Sequence, residues 1–219
     1  MAKVYLLGGE TVARRSARDL NLAAFEDAAS HPRVLVFAWA RPSFERRFDK
    51  RRLFSDYMRS LGGREVRFVE YGEKEDLEQL LLDADLVYLT GGQASVLVER
   101  AEKAGLGKLL GDFHGVVVGR SAGALALCSR CVTTIRENKM VRVVNGLGLV
   151  DITLKVHYTS KKDPSLEQFS QKEPIFAVPK DSALVCSGSE LMAIEEVYLF
   201  QEGQRRIFTH SPYEKYRRT

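Results

Sequence analysis

Long apolar runs are missing from this sequence. None approaches the roughly 18 residues that a bilayer-spanning helix needs, so no membrane span is expected. The opening stretch, Met1 to Glu10, carries too short an apolar segment for a secretory signal and reads as a first core strand. Cysteine is scarce. Three cysteines cannot build a disulfide framework. Cys128 and Cys131 have C-x-x-C spacing, but no second Cys or His pair completes a zinc site, so no metal is expected. Cys128 is expected inside a helix, and a reducing cytoplasm is the natural setting. A strong charge of one sign is absent too. The 33 basic and 29 acidic residues leave a net charge of +4, too mild to argue for nucleic acid. The basic stretch from Arg41 to Arg52 is interrupted by Phe44 and Phe48 and reads as the wet side of an amphipathic helix. Internal repeats, linkers and low-complexity segments are also lacking, so residues 1–219 are expected to form one domain. Oligomeric state is not legible, and a homo-oligomer is left open.

What is present is an alternation. At 45% hydrophobic and 28% charged, the chain has an ordinary globular composition and enough length for a good core. Strands are expected at Lys3–Leu7, Arg33–Ala38, Glu65–Tyr71 and Leu86–Leu89, with a fifth at Val116–Val118. Helices are expected between them, at 12–30, 43–61, 75–83, 94–104 and 106–112. This spacing implies an α/β fold: three layers, a mostly parallel sheet with helices on both faces. After about residue 138 the texture changes. Strands at Val141–Val144 and Ile152–Tyr158 precede a polar loop with a short helix at 159–174. Four short strands, from Ala183 to Thr209, suggest an antiparallel edge finishing the sheet. The basic tail from Tyr213 is expected to fray.

The stretch 115–128 organises the chain. Gly119-Arg120-Ser121-Ala122-Gly123 is G-x-S-x-G between a buried strand and an Ala/Leu helix, the setting of a nucleophile elbow. Ser121 would sit on a strained turn with its hydroxyl exposed. A serine needs a base to take its proton. Of the four histidines, His31 approaches the second strand, His114 lies at the amino end of the elbow strand, and His210 is in the tail. His157, at the end of a later strand, is the candidate base. An oxyanion hole needs two donors. The N–H of Ala122 is one. Thr90-Gly91-Gly92-Gln93, at a neighbouring strand end, offers Gly92 as the other, with Gln93 placed to touch substrate.

These pieces together resemble peptidase family S51, the group of dipeptidase E and cyanophycinase. The matching stretches are Leu89 to Gln93, Gly119 to Ala124, Gly146-Leu147-Gly148-Leu149 leading to His157-Tyr158, and Pro179 to Val185. The likeness runs from about Val4 to Phe208. It implies a class I glutamine amidotransferase-like fold and a serine–histidine–acid peptidase acting on short peptides without cofactor. It also implies substrate contacts from Gly91, Gln93 and Arg120. In dipeptidase E a glutamate follows the proline before the closing strands; here Lys180 follows Pro179, and Asp181 is the nearest carboxylate. Adjacent strand residues point oppositely, so Asp181 needs a backbone shift to serve. Glu190, Asp151 and Asp163 are poorer candidates. The family's arginine after the histidine is also missing. Leu166 stands in that place, and Lys161 or Lys162 is the available substitute for binding substrate. Dipeptidase E-like and cyanophycinase-like substrates both stay open. So does a non-catalytic relative that binds a small ligand or partner: Lys180 favours it, and an intact Ser121–His157 pair opposes it.

Overall fold

The structure is a computed structural model that describes residues 2–41, 48–72, 75–134 and 141–216. Its centre is a 12-stranded mixed sheet among the described residues. The first block holds β1 (Lys3–Leu7), β2 (Arg33–Phe37), β3 (Glu65–Val69), β4 (Leu86–Leu89) and β5 (Val116–Arg120), in the order β3-β2-β4-β5-β1, all parallel. Alternation along each strand divides the core. Val4, Leu6 and Val117 face one side of the sheet, while Tyr5, Leu7, Val116 and Val118 face the other. Helices α1 (Arg18–Ala28) and α2 (Phe48–Ser60) cover the second side through Leu20, Phe25, Phe54 and Met58. Helices α3 (Leu77–Leu82), α4 (Ala94–Lys103), α5 (Leu106–Asp112) and α6 (Ala122–Leu127) cover the first. Asp76 caps α3 by accepting from the Gln79 N–H at 3.1 Å.

The rest of the chain extends the sheet. Strands β6 (Cys128–Thr134), β8 (Val150–Val156) and β9 (Ile175–Val178) form a second parallel block, with β7 (Val141–Asn145) antiparallel at its edge. Helix α7 (Asp163–Ser170) packs on this block through Leu166. The antiparallel C-terminal strands are present as β10 (Ala183–Ser187), β11 (Glu190–Gln201) and β12 (Gln204–Pro212). They do more than finish the sheet: β10 pairs with β1, β11 joins β10 to β9, and β12 hangs off β11.

Several sequence expectations need correction. The helix expected over 12–30 is a 3-10 turn, Val12–Arg14, followed by the shorter α1. The start expected for the 43–61 helix lies outside the described residues. Cys128 is not helical. It opens β6, its backbone at ψ 160, while its thiol donates back to the Ala124 carbonyl at 3.3 Å. The two short strands expected between Leu191 and Gln201 are one strand, β11, irregular between Met192 and Val197 where Glu195 has φ 61. The tail is not frayed up to residue 216: Tyr213 and Tyr216 are buried, with the Tyr216 ring 5.0 Å from Phe176.

Candidate active site

The parallel strands of the first block end at one edge, and the site is built there. Ser121 follows β5 directly. Its φ of 54 and ψ of −106 are strained for a residue with a side chain. Two hydrogen bonds and the helix that follows hold it there. Its N–H donates to the Leu7 carbonyl at 2.9 Å, its carbonyl accepts from Leu125 at 3.0 Å, and α6 begins at the next residue. Gly123 lets that helix seat on β4, because a Cβ at residue 123 would fall 2.2 Å from the Leu89 carbonyl oxygen.

His157 comes from the other block, one residue past β8. Its N–H donates to the Gly8 carbonyl at 3.0 Å, and Tyr158 N–H donates to Val178 at 3.2 Å. The loop after β1 therefore reaches across and fixes the histidine. Gly9, at φ 145, lies flat on the imidazole; a Cβ there would sit 2.3 Å from Cε1 and 2.6 Å from Nδ1. The result is a Ser121 Oγ to His157 Nε2 separation of 2.7 Å, a good hydrogen bond. Either atom can donate in this contact, depending on the tautomer, but only an unprotonated Nε2 can take the Ser121 proton, so neutral imidazole is the form a general base needs. The ring's surroundings favour that form. His157 keeps solvent access, but its covered face desolvates the ring and lowers its pKa below the ordinary histidine value, and the charges of Lys180, Lys155 and Arg120 push the same way.

The oxyanion candidates are positioned as a pair of glycine-rich turns. Gly91 lies against Ser121, a Cβ there falling 3.4 Å from Ser121 Cβ. Gly92 packs on Ala40, where a Cβ would meet Ala40 Cβ and O at 2.8 Å. Gln93 N–H is bound to the Ala40 carbonyl at 3.1 Å, whereas the Gly92 and Ala122 N–H groups have no acceptor among the described residues. Gln93 itself is exposed at the start of α4.

The expected acid is elsewhere. Asp181, at φ 59, accepts from Ser16 Oγ at 2.6 Å, and its N–H donates to Gly9. It staples the 11–16 loop rather than the imidazole. Glu190 pairs with His210 at 2.7 Å. Asp163 accepts from Tyr158 OH at 2.7 Å and Arg205 at 2.9 Å. Asp151 lies near the start of β8, at the end away from His157. Among the described residues no carboxylate hydrogen-bonds His157. Lys161 is exposed on the 3-10 turn Ser160–Lys162. Arg120 is 11% exposed and faces the buried carboxylate of Glu10.

The sequence places Gly8-Gly9 at the carboxyl end of the first strand, the functional edge, but does not single out Glu10 or Lys155. Glu10, next after Gly9, had a readable signal in that position. Lys155 had none, because it is an isolated lysine in an apolar strand. It is buried, and burial pulls its amine down to about 8, aided by Lys162. No group of three or more His, Cys, Asp or Glu that would hold a metal occurs among the described residues.

An open α/β sheet with a serine on a strained strand-to-helix elbow, bonded to a histidine from a later strand, has the architecture of an acyl-transfer hydrolase. The comparisons give the family. The model of peptidase family S51 matches residues 53–194, and the chain belongs to this family of serine-type peptidases. No curated protein matches the sequence. Among solved structures, the fold is similar to a peptidase from an acI-B1 Actinobacterium. That likeness has a TM-score of 0.73 at 18% identity, over 97% of each chain. A candidate peptidase E from Listeria monocytogenes EGD-e superposes with a TM-score of 0.64 at 19% identity, over 89% of this chain and 98% of that one. No described helix is long and apolar enough to cross a membrane.

Proposed function

We propose that this serine peptidase hydrolyses short peptides in the dipeptidase E manner, with Ser121 as nucleophile and His157 as general base. The observation that carries the reading is the 2.7 Å Ser121–His157 contact at the strained elbow. His157 Nε2 takes the hydroxyl proton as Ser121 Oγ attacks the scissile carbonyl carbon. The carbonyl oxygen becomes an oxyanion held by the N–H groups of Gly92 and Ala122. His157 then gives its proton to the departing amine, leaving an ester on Ser121. Water, deprotonated by the same imidazole, attacks that ester and releases the acid. His157 works without a hydrogen-bonded carboxylate in this scheme, as a dyad. Its position is set by the backbone bond to Gly8 and by the Gly9 wall. The reaction calls for no metal or cofactor, and the setting proposed for it is the cytoplasm.

A fluorophosphonate probe tests the chemistry. Covalent labelling of the wild type, absent in Ser121→Ala, is the expected result. A wild type that labels no faster than Ser121→Ala would place the chain with ligand-binding relatives instead. Dipeptides and the polymer cyanophycin, assayed side by side, separate the two substrate classes; cleavage of cyanophycin alone would remove the dipeptidase assignment.

A further inference from the structure

The two residues of the dyad are each adjacent to one arm of a single buried ion pair. Glu10 follows Gly9, which lies against the His157 ring, and Arg120 precedes Ser121. The Glu10 side chain is 0% exposed, and its Oε2 is 3.9 Å from Arg120 Nη1. Asn21 Nδ2 approaches Glu10 Oε2 at 3.5 Å and donates to the Tyr57 hydroxyl at 3.0 Å. Tyr57 lies within electrostatic reach of Glu10. Tyr88 is fully buried within electrostatic reach of both charges. Burial pushes both phenols far above their ordinary range, so Tyr57 and Tyr88 stay neutral beside the Glu10–Arg120 pair. The Arg120 guanidinium also stacks over the Phe54 ring at 5.6 Å.

Placement gives this cluster its consequence. The β1–β5 ladder ends at Leu7 and Arg120. Beyond that point one chain runs on to the wall of His157 and the other to Ser121. The Glu10–Arg120 pair ties the two chains together below the dyad. Breaking a buried pair by removing one partner leaves an uncompensated charge in low dielectric. Here that charge would be Arg120, already one of the cations facing His157. The others are Lys180, from the loop before β10, and Lys155, from β8. Asp181, on the same loop as Lys180, has its carboxylate on Ser16.

We infer that Glu10 is a positioning residue for hydrolysis: its buried pairing with Arg120 clamps the Gly9 wall of His157 to the Ser121 elbow and offsets the Arg120 charge at the imidazole. This rests on the Ser121–His157 reading above. The test is the rate of fluorophosphonate labelling of Ser121 as a function of pH. Glu10→Gln is expected to lower the plateau rate by about tenfold or more and to move the acid limb to lower pH, because unopposed Arg120 disfavours imidazolium. Glu10→Asp is expected to keep the limb near the wild-type position. The double variant Glu10→Gln/Arg120→Gln, which removes both charges, is expected to return it there. A Glu10→Gln protein with a wild-type limb overturns the inference whatever its plateau, since a merely structural role would leave the limb in place. If Glu10→Gln does not fold, the double variant decides alone, and a limb below the wild-type one overturns the inference. A wild type that does not label overturns the dyad itself and the inference with it; labelling of the wild type with an indifferent Glu10→Gln overturns the inference only.

Discussion

His157 is held by backbone on two sides, through the Gly8 carbonyl and the bare Cα of Gly9. Gly9→Ala would set a methyl 2.3 Å from the present Cε1 position, inside any real contact distance, so the ring must move. A displacement of about 1 Å in such a site costs on the order of 100-fold in rate. Labelling of Ser121 in Gly9→Ala should fall by about that factor while the protein stays folded. Asp181→Asn should label at close to the wild-type rate, since the carboxylate holds Ser16 and its replacement can still accept that bond; a loss of about 10⁴, as for a triad acid, would restore Asp181 to the mechanism. Lys180→Met removes a cation that disfavours imidazolium. Its acid limb should therefore move to higher pH, and a limb that stays put or falls would separate Lys180 from His157. Ser121 and His157 were legible in the sequence because a motif fixes one and chain order singles out the other. The position of the acid was not, because a single-residue offset after Pro179 turns a side chain toward a different neighbour.

Elements were legible where periodicity and punctuation agree. The first block, with its β-branched runs ending in glycine turns, came through nearly unchanged. Strand β9 did not, because Ile175–Val178 is a four-residue apolar run wedged between the polar loop that ends at 174 and Pro179. Helix α6 shows the reverse. Its Ala/Leu run would continue as a helix by propensity, yet tertiary pairing with β7 and β8 turns the chain extended at Cys128. Strand β8 carries the testable case. Lys155 is buried beside Ala177 of β9, and its amine titrates at about 8 instead of 10.5. Keeping it charged inside the fold costs about 3 kcal/mol below pH 8, since each pH unit between those two values corresponds to about 1.4 kcal/mol. The unfolded chain binds the extra proton between the two values. Stability therefore rises with pH from about 8 to about 10.5, and the cost has gone above that. Lys155→Met should unfold at a higher denaturant midpoint at pH 7. Its advantage should shrink across that window; an advantage constant with pH would assign the gain to packing alone.

At the scale of the whole molecule, the second block has to be anchored for His157 to meet Ser121, because they come from different parallel sets. The anchor is C-terminal. Strands β10 and β11 pair across from β1 to β9, so the chain from Ala183 onward welds together the two blocks made before it. That arrangement was not legible, because long-range antiparallel pairing leaves no local signal beyond short strands and turns. The same holds for the tail, whose basic residues hid two buried tyrosines. Tyr216 packs edge-on against Phe176 of β9 at 5.0 Å and Phe208 of β12 at 6.2 Å, fastening β12 and the tail to the second block. Truncating a buried aromatic costs about 3 kcal/mol or more. For a chain of this length each kcal/mol lowers Tm by about 2–4 °C. Tyr216→Ala should therefore melt about 6–12 °C lower in a thermal scan, and truncation after Pro212 should lower Tm at least as far, since it also removes Tyr213. Labelling of Ser121 by the fluorophosphonate at 25 °C should persist in Tyr216→Ala, because the dyad is fixed by Gly8, Gly9 and the elbow rather than by the tail. A Tm equal to that of the wild type would return the tail to the frayed state its composition suggests.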